Sequence, residues 1–302
     1  MQDYSAFVPN VHFEQIPIKD LVSNQDYQRT LSLRHVKKAA DHFDLYQVNP
    51  VKVSRRGGIN YVFNGQHTVE IVATVSGSRD TPVWCMIYDD LEYDHEADIF
   101  ANQMKYVKPL LPYEIFMANV EAGNTKQLLI KELVESYNLA ITSTAVPGGV
   151  CAVSTLEVIH DKYGLQMLDK VLKICVNTWE GSPQSFTSGI LKGIAKLIDA
   201  YGDELKEDAF IERLSRVSPK EIIRTAKERR AGSMGYAEAM LIYYNKKTRY
   251  TLSWEKLYAH RKKTSAWIPL SELENEQMAD EADTEEQNSV ETVGKEPAVI
   301  LD

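Results

Sequence analysis

The sequence predicts an α+β protein with a small mixed-sheet domain at residues 1–110, an all-α domain at 111–270 and a disordered acidic tail at 271–302. Up to about residue 110, apolar runs of strand length alternate with helical periods, whereas later segments show helical periodicity only. The tail carries 11 Asp and Glu residues and almost no aromatic side chains. Such a composition cannot bury enough apolar surface to fold alone.

The mixed-sheet domain is predicted to contain four strands and three helices in the order β, α, β, β, α, β, α. Strands are expected at residues 13–18, 50–53, 61–63 and 82–88, and helices at 31–43, at 66–75 and beyond an acidic turn at 89–98. Ser32 is the predicted N-cap of the first helix, and Gly57-Gly58 makes the hairpin turn. The run 82–88 is almost continuously apolar, which is typical of a strand buried on both faces.

The second domain is predicted to be a series of helices separated mostly by Gly or Pro. Eight helices are expected, at residues 112–122, 125–137, 154–163, 166–178, 185–201, 204–215, 219–230 and 236–244. A further helix is expected within 250–263, and the Pro-Gly-Gly sequence within 144–153 indicates a loop.

The composition excludes several classes of protein. Hydrophobic residues make up 44% of the chain and charged residues 25%, as in ordinary globular proteins. No apolar stretch is long enough to span a membrane, and the N-terminus lacks the pattern of a signal peptide, so a cytoplasmic protein without a membrane partner is expected. Cys85, Cys151 and Cys175 lie far apart in apolar surroundings, which predicts buried thiols rather than a disulfide or metal site.

Charge is distributed unevenly along the chain. The net charge is -9, yet residues 213–263 hold 14 Lys and Arg against 4 Asp and Glu. A basic segment in an acidic protein indicates an anionic partner, nucleic acid first, with solvated helix faces as the alternative interpretation. The predicted DNA-contacting residues are Arg224, Lys227, Arg229, Arg230, Lys246, Lys247, Arg249, Arg261, Lys262 and Lys263.

The segment Tyr61–Val75 predicts a strand, a turn at Gly65 and a helix. A glycine directly before a helix allows an anion to approach the N–H groups of the first turn closely. Gln66, His67 and Thr68 are expected to project around that point. His67 is interpreted either as a neutral hydrogen-bonding residue that holds the turn or as an acid–base group near the anion.

From about residue 13 to 115, the chain resembles the ParB/sulfiredoxin-like superfamily. The resemblance rests on segments in the family's order: IPIKDL at 16–21, YQR at 27–29, NPVKV at 49–53, FNGQHTVEIVATVSG at 63–77, TPVWCMIYDD at 81–90, ANQMK at 101–105 and LPYE at 111–114. It implies the family's fold for the N-terminal domain. As in the ParB branch, it also implies a nucleotide site for CTP or ATP with Mg²⁺.

In the ParB branch, a Gly-Glu-Arg-Arg helix start holds the triphosphate and a Glu-Asn-x-x-Arg helix completes the site. Gly65 matches the glycine, Asn102 the asparagine and Lys105 the position of the last arginine. Gln66-His67-Thr68 replaces Glu-Arg-Arg and Ala101 replaces the second glutamate, which removes two cationic and two acidic side chains. The anion- or nucleotide-binding residues implied are Gln28, Arg29, Gly65, Gln66, His67, Thr68, Asn102 and Lys105, with His67 as the catalytic candidate.

A similar Gly-Gln-His sequence occurs in some ParB-like proteins of phages and mobile elements. The leading hypothesis is therefore a DNA-associated ParB-like protein of such an element, with a homodimer as the assembly considered. The alternatives are a ParB-like Mg²⁺-dependent nuclease or nucleotide hydrolase, and a protein-interaction module with a degenerate pocket. Peroxiredoxin repair, the chemistry of the sulfiredoxin branch, is excluded because Gln66 stands where that reaction needs a cysteine.

Four further features give weaker signals. Residues 123–139 stand where ParB proteins place a helix-turn-helix, but no recognition helix with a clear turn follows. The acids between Asp89 and Asp98 indicate a solvated turn more than a cation site, and Arg55-Arg56 indicates either a phosphate contact or a soluble turn. The acidic tail is hypothesised to compete with DNA for the basic segment.

Overall fold

In the computed structural model, the described residues are 10–23, 27–28, 30–89, 91–103, 105, 108–246 and 249–265, the side chains of 260–265 excepted. The chain divides into two compact units, Met1–Pro109 and Leu110–Asp302. The first unit contains a mixed sheet and helices, and the second is helical apart from one short strand pair. The predicted α+β fold class is therefore confirmed, while the predicted acidic tail lies outside the described residues.

The first unit contains all four predicted strands and one strand, β2, that was not predicted. Its elements are β1 (Val11–Pro17), β2 (Leu21–Ser23), α1 (Leu33–Asp41), β3 (Val51–Arg56), β4 (Ile59–Asn64), α2 (Gln66–Ser76), β5 (Pro82–Tyr88) and α3 (Tyr93–Asn102). Ser32 caps α1 as predicted, because its Oγ accepts a hydrogen bond from the N–H of His35 at 3.3 Å. Three residues of β2 are too few to show an alternating pattern, so the sequence analysis missed it.

The five strands form one mixed sheet in the order β1-β5-β3-β4-β2. β5 pairs antiparallel with β1 and parallel with β3, while β4 pairs antiparallel with β3 and parallel with β2. The core of this unit includes Val53, Val62 and Ile87 of the sheet together with Val69 of α2. Packing α2 against the sheet places the turn between β4 and α2 at the edge of this core.

The prediction that β5 is buried on both faces is wrong. Val83, Cys85 and Ile87 are at most 5% exposed, whereas Trp84 between them is 54% exposed. β1 and β3 flank β5, so both of its edges are hydrogen-bonded while only one face packs into the core. The apolar run therefore reflects the strand's position inside the sheet and not burial of both faces.

The second unit contains the eight predicted helices and the further helix near its end. Its elements are α4 (Pro112–Glu121), α5 (Thr125–Ser136), β6 (Ala140–Ile141), β7 (Gly149–Val150), α6 (Val153–Tyr163), α7 (Leu165–Trp179), α8 (Ser188–Tyr201), α9 (Glu207–Leu214), α10 (Pro219–Arg229), α11 (Ser233–Asn245) and α12 (Trp254–Ser265). Among its described residues, the departure from an all-α unit is the parallel pair of β6 and β7, and the first half of the predicted loop lies between these two strands. In the described part of the chain, no helix is both long and apolar enough to cross a membrane.

The centre of the second unit is the close contact of α8 with α11. Gly189 and Gly193 lie one turn apart on α8, and a Cβ at either position would overlap Tyr236 or Met240 of α11. Small residues here let the two helices approach. α11 is buried on most of its circumference, and it supports the more exposed α10, which packs against it.

The three cysteines differ in burial. Cys85 and Cys175 are buried as predicted, whereas Cys151 is half-buried. Burial raises the pKa of the Cys85 thiol to about 11, so this sulfur is a poor nucleophile at neutral pH.

Candidate functional site

The turn at Gly65 lies between β4 and α2, as the sequence predicted. Gly65 has φ of 106°, a left-handed conformation, and a Cβ at this position would lie 3.3 Å from Cα and Cγ1 of Val51. Both the backbone angle and the neighbouring strand therefore require glycine. The N–H of Val69 donates to the Gly65 carbonyl at 3.0 Å and closes the first turn of α2, so the first N–H groups of α2 follow directly after the strand.

The C-terminal end of α3 reaches this turn. The Nδ2 of Asn64 donates to Oε1 of Gln103 at 2.6 Å, joining the last residue of β4 to the residue after α3. Asn102 beside it donates to the carbonyl and Oδ1 of Asp98 at 3.0 and 2.9 Å. The structure thus brings together two segments that the resemblance assigned to one site, while the Asn102 amide is bonded within its own helix. The backbone N–H of Lys105 donates to the Asn102 carbonyl at 3.0 Å.

His67 connects α2 with the start of α1. The N–H of Ser32 donates to Nε2 of His67 at 3.2 Å, and the His67 ring meets the His35 ring edge-on at 5.4 Å. Because Nε2 is an acceptor here, the neutral imidazole carries its proton on Nδ1. This geometry agrees with the interpretation of His67 as a residue that holds the turn; the acid–base role remains a prediction.

Gln28 is buried beside β4. Its Nε2 donates to the carbonyl of Val62, whereas its Oε1 has no hydrogen-bond partner among the residues that the structure describes. Arg29, which the resemblance assigned to the same site, lies outside the described residues. Gln66 is also buried, at 7% exposed, so two of the predicted polar residues lie inside the unit and not on its surface.

An ion pair that the sequence did not predict involves Arg56, which lies at the opposite end of the β3–β4 hairpin from this turn. The carboxylate of Glu96 is fully buried and lies 2.7 Å from Nε of Arg56. The Nε–H does not point at the carboxylate, but Nη2 of Arg56 donates to it at 3.3 Å and the hydroxyl of Tyr27 donates at 3.2 Å. Burial, followed by the Glu96 charge, raises the pKa of Tyr27 to about 12.

The interpretation of Arg55-Arg56 as a merely soluble turn is therefore wrong, whereas a phosphate contact at these residues remains a prediction. Arg56 is held by Glu96, and Arg55 makes two hydrogen bonds to the Glu14 carboxylate, at 2.9 and 2.6 Å. The interpretation of residues 89–98 as a fully solvated acidic turn is also wrong for Glu96, which is buried and accepts from Arg56, 40 residues earlier in the chain. No local sequence pattern indicates such a pairing.

The basic segment of the second unit separates into paired and unpaired cations. Glu238 is 3% exposed and accepts from Nε of Arg229 at 3.0 Å and from the Tyr258 hydroxyl at 3.0 Å, with Nη1 of Arg230 at 3.6 Å. Arg229 and Arg230 are thus engaged with a buried carboxylate. Their proximity to one another, which the sequence suggested as a phosphate-binding cluster, serves this internal contact.

The unpaired cations form a stripe on α10. Lys220, Arg224 and Lys227 are exposed at positions i, i+4 and i+7 of one helix, which places them on one face. Among the residues that the structure describes, none of the three has an ion-pair partner. We call these three residues the α10 stripe. Lys220 was not among the predicted DNA-contacting residues.

Other predicted cations lie near the end of α11. Lys246 and Arg249 are exposed and also lack an ion-pair partner within the described ranges. Lys247 falls outside those ranges, and the side chains of Arg261, Lys262 and Lys263 do as well, although their backbone belongs to α12. DNA contact by Lys247, Arg261, Lys262 and Lys263 therefore remains a prediction from the sequence.

The segment at 123–139 does not lead into a basic recognition helix. It contains α5, and the next helix along the chain is α6. The surface of α6 near α5 carries Glu157 and Asp161, which lie 3.9 and 3.1 Å from Lys126. Because these carboxylates would repel a phosphate backbone, α6 is poorly suited to entering a DNA groove.

At the Gly65 turn, the residues that the structure describes do not supply the ligands that Mg²⁺ would need. Mg²⁺ prefers carboxylate and other oxygen ligands, and the two carboxylates of the ParB pattern are replaced by Gln66 and Ala101. Within the described ranges, no group of three or more His, Cys, Asp or Glu side chains is arranged to hold a metal ion. The residues present therefore do not fit a protein-held Mg²⁺ at this turn.

A protein-family model matches residues 22–253, which span the larger part of both units. It describes a family of unknown function, DUF6551. The chain belongs to this family. Among curated proteins, none matches the chain.

Two solved structures of the C-terminally truncated chromosome-partitioning protein ParB from Caulobacter crescentus are similar to the chain. The complex with CTP-gamma-S is 14% identical, with a TM-score of 0.33, and the match covers 70% of this chain and 99% of that chain. The complex with the centromeric parS site is 13% identical, with a TM-score of 0.23, and the match covers 76% and 98%.

Proposed function

We propose that this protein is a DNA-associated protein whose helical unit binds the phosphate backbone of duplex DNA. The observation that carries the proposal is the α10 stripe, in which Lys220, Arg224 and Lys227 are exposed on one face without an acidic partner among the described residues. Pro219, Ile222 and Ala226 are the buried residues of α10. Because they pack the other face of the helix into the unit, the α10 stripe faces solvent.

The cations after α11 extend this surface. The hydroxyl of Tyr243 donates to Glu221 at 3.0 Å and lies 3.2 Å from Oγ1 of Thr225. The end of α11 therefore runs beside the first half of α10, and the exposed Lys246 follows directly. Within α10 the stripe covers about 10 Å of helix. Duplex DNA carries one charge per about 1.7 Å of its axis, so such a surface meets several phosphates at once.

Backbone contact of this kind positions a protein on DNA without reading sequence. We therefore expect similar affinity for unrelated duplexes and a strong dependence on salt. The test is fluorescence anisotropy with two labelled duplexes of unrelated sequence. Saturable binding to both at low salt supports the proposal, and absence of binding to either overturns it. The origin in a phage or mobile element remains a prediction from the resemblance.

The Gly65 turn is proposed as a second, weaker anion or nucleotide site. Three features support it: the left-handed glycine before α2, the first N–H groups of that helix, and the hydrogen bond of Asn64 that brings the end of α3 to the same point. The test is binding of labelled CTP, ATP and GTP, with and without Mg²⁺ and duplex DNA. Saturable binding of one nucleotide that is lost in Gln66→Ala or Lys105→Ala supports this site.

The two alternative functions make different predictions in the same assays. Metal-dependent turnover of DNA or nucleotide that is abolished by His67→Ala or Asn102→Ala would favour a nuclease or nucleotide hydrolase. A protein-interaction module would bind neither DNA nor nucleotide.

A further inference from the structure

A groove lies between α1 and α2, with a volume of about 430 Å³. The short 3-10 turn Leu45–Gln47 adjoins it, and Asp44, which precedes the turn, contributes to its wall. Its volume falls within the roughly 300–1,000 Å³ that is usual for small-molecule sites. The lining residues are His35, Lys38, Ala39, His42, Phe43, Asp44, Gln47, Val48, Thr68, Ile71 and Val72.

Cationic and titratable side chains line the α1 side of the groove. His35 and Lys38 lie three residues apart on α1, and His42 directly follows the end of that helix; all three line the same groove. The His35 ring contacts His67, while Lys38 and His42 have no ion-pair partner among the described residues.

Asp44 is the acidic residue that lines the groove, and its carboxylate is already used. Oδ1 accepts from the N–H of Tyr46 at 2.9 Å, and Oδ2 accepts from Nε2 of Gln47 at 3.3 Å. These bonds cap the 3-10 turn. The Asp44 carboxylate keeps its negative charge but is bound at the turn, and among the described residues it forms no ion pair with Lys38 or His42.

The rest of the lining is mainly apolar. Phe43 and Val48 contribute from the end of α1 and the 3-10 turn, and Ile71 and Val72 contribute from α2. Val72 also packs against the core of the unit, which makes this part of the wall rigid. The groove thus combines an apolar floor with a cationic side.

We propose that this groove binds a small organic anion: an apolar ring or short chain that carries one phosphate or carboxylate group. The apolar body lies on Phe43, Val48 and Ile71, and the anionic group lies against Lys38 and the neighbouring histidines. This site is separate from the α10 stripe and does not depend on DNA binding.

The test uses probes that contain both parts of the ligand or only one. Phenyl phosphate and phenylacetate carry a ring and an anion, inorganic phosphate carries the anion alone, and benzyl alcohol carries the ring alone. Binding to the full-length protein is measured by chemical-shift titration in ¹H–¹⁵N NMR spectra. We expect a roughly millimolar Kd for one of the two complete probes, as is usual for ligands of this size, and at least about tenfold weaker binding of each partial probe. The tighter complete probe identifies the anionic group.

Variants locate the site. Lys38→Gln removes the charge at nearly constant length and is expected to weaken binding about tenfold. Lys37→Gln is the matched control, because Lys37 is the adjacent exposed lysine of α1 but does not line the groove. Ala39→Leu places a larger side chain in the groove and is expected to weaken binding of both complete probes at least as much. Melting temperatures of the variants verify folding.

Loss of binding in Lys38→Gln with retention in Lys37→Gln supports the proposal. Failure of both complete probes to bind saturably overturns it. Equal affinities in the wild type and in Lys38→Gln overturn it as well, because the probe then binds elsewhere. None of these outcomes changes the expectation for DNA binding by the helical unit.

Discussion

Replacing Lys220, Arg224 and Lys227 together by Gln is expected to weaken DNA binding and to reduce its dependence on salt. All three side chains are exposed along one face of α10. Each phosphate contact contributes about 0.9 to the slope of log K against log salt concentration. Loss of three contacts therefore lowers the slope by about 2.7, which corresponds to roughly 500-fold weaker binding at about 0.1 M salt.

The assay is fluorescence anisotropy of a labelled duplex at several salt concentrations between about 50 and 300 mM. Circular dichroism melts of each variant test whether the fold is intact. Because Gln is a good helix former and the three side chains face solvent, we expect the melting temperature to stay close to that of the wild type.

A second triple variant separates the α10 stripe from net charge. Lys126, Lys131 and Lys173 lie on the same helical unit, and each already pairs with an acid, at 3.1, 2.5 and 2.9 Å. Replacing these three by Gln changes the net charge by the same amount and is expected to leave the slope unchanged. Equal slopes for the wild type and the α10 variant would refute the reasoning. An equal loss in both variants would show that net charge governs binding.

Three further predictions concern single features of the chain. Gly65→Ala should destabilise the protein by about 2 kcal/mol, because Ala disfavours the left-handed backbone and its Cβ would press on Val51. Gly77 also has a left-handed backbone, with φ of 68°, but open space around it, so Gly77→Ala should cost only about 1 kcal/mol. Urea unfolding of both variants measures the difference in the free energy of unfolding. The hydrogen bonds from Arg55 lower the pKa of Glu14 to about 2, so the partly exposed pair stabilises the fold above the ordinary carboxyl pKa and loses this contribution as the pH falls towards 2. Glu14→Gln should therefore lower the free energy of unfolding at pH 7, and this loss should shrink progressively below about pH 4. The same loss at pH 7 and at about pH 2.5 would contradict this prediction. Deleting residues 271–302 should tighten DNA binding and steepen its salt dependence, because the acidic tail would no longer compete with DNA for the basic segment. Anisotropy titrations that do not change on deletion would show that the tail does not compete with DNA.

Local sequence patterns predicted the secondary structure well. The apolar positions of helices such as α7 and α8 recur at helical spacing, and turn residues such as Gly77 and Ser32 mark where helices end or begin. These signals act over a few residues, so they do not depend on which elements later pack together. β2 was missed because it is only three residues long and pairs with a strand almost 40 residues away.

The candidate site was predicted in part. The Gly65 turn follows from one glycine between a strand and a helix, and the segment ordering placed the end of α3 in the same site. The roles of individual charges did not follow. Arg229 and Arg230 resembled a phosphate-binding cluster, yet they contact Glu238 of the next helix, while Lys220 was overlooked because it precedes the dense part of the cluster.

The sequence by itself determined the α+β fold class, the positions of the helices to within about three residues, and the glycine turn before α2, since these depend on periodicity and backbone preference. Only the tertiary structure decided which charges are available to a ligand. Glu96 and Glu238 are buried with arginines that the fold brings to them, because an unpaired carboxylate in a core is costly. Among the described residues, the exposed cations left without such a partner include those on α10, after α11 and along the groove beside α1. A ligand can reach them, and no local pattern distinguishes them from the paired arginines.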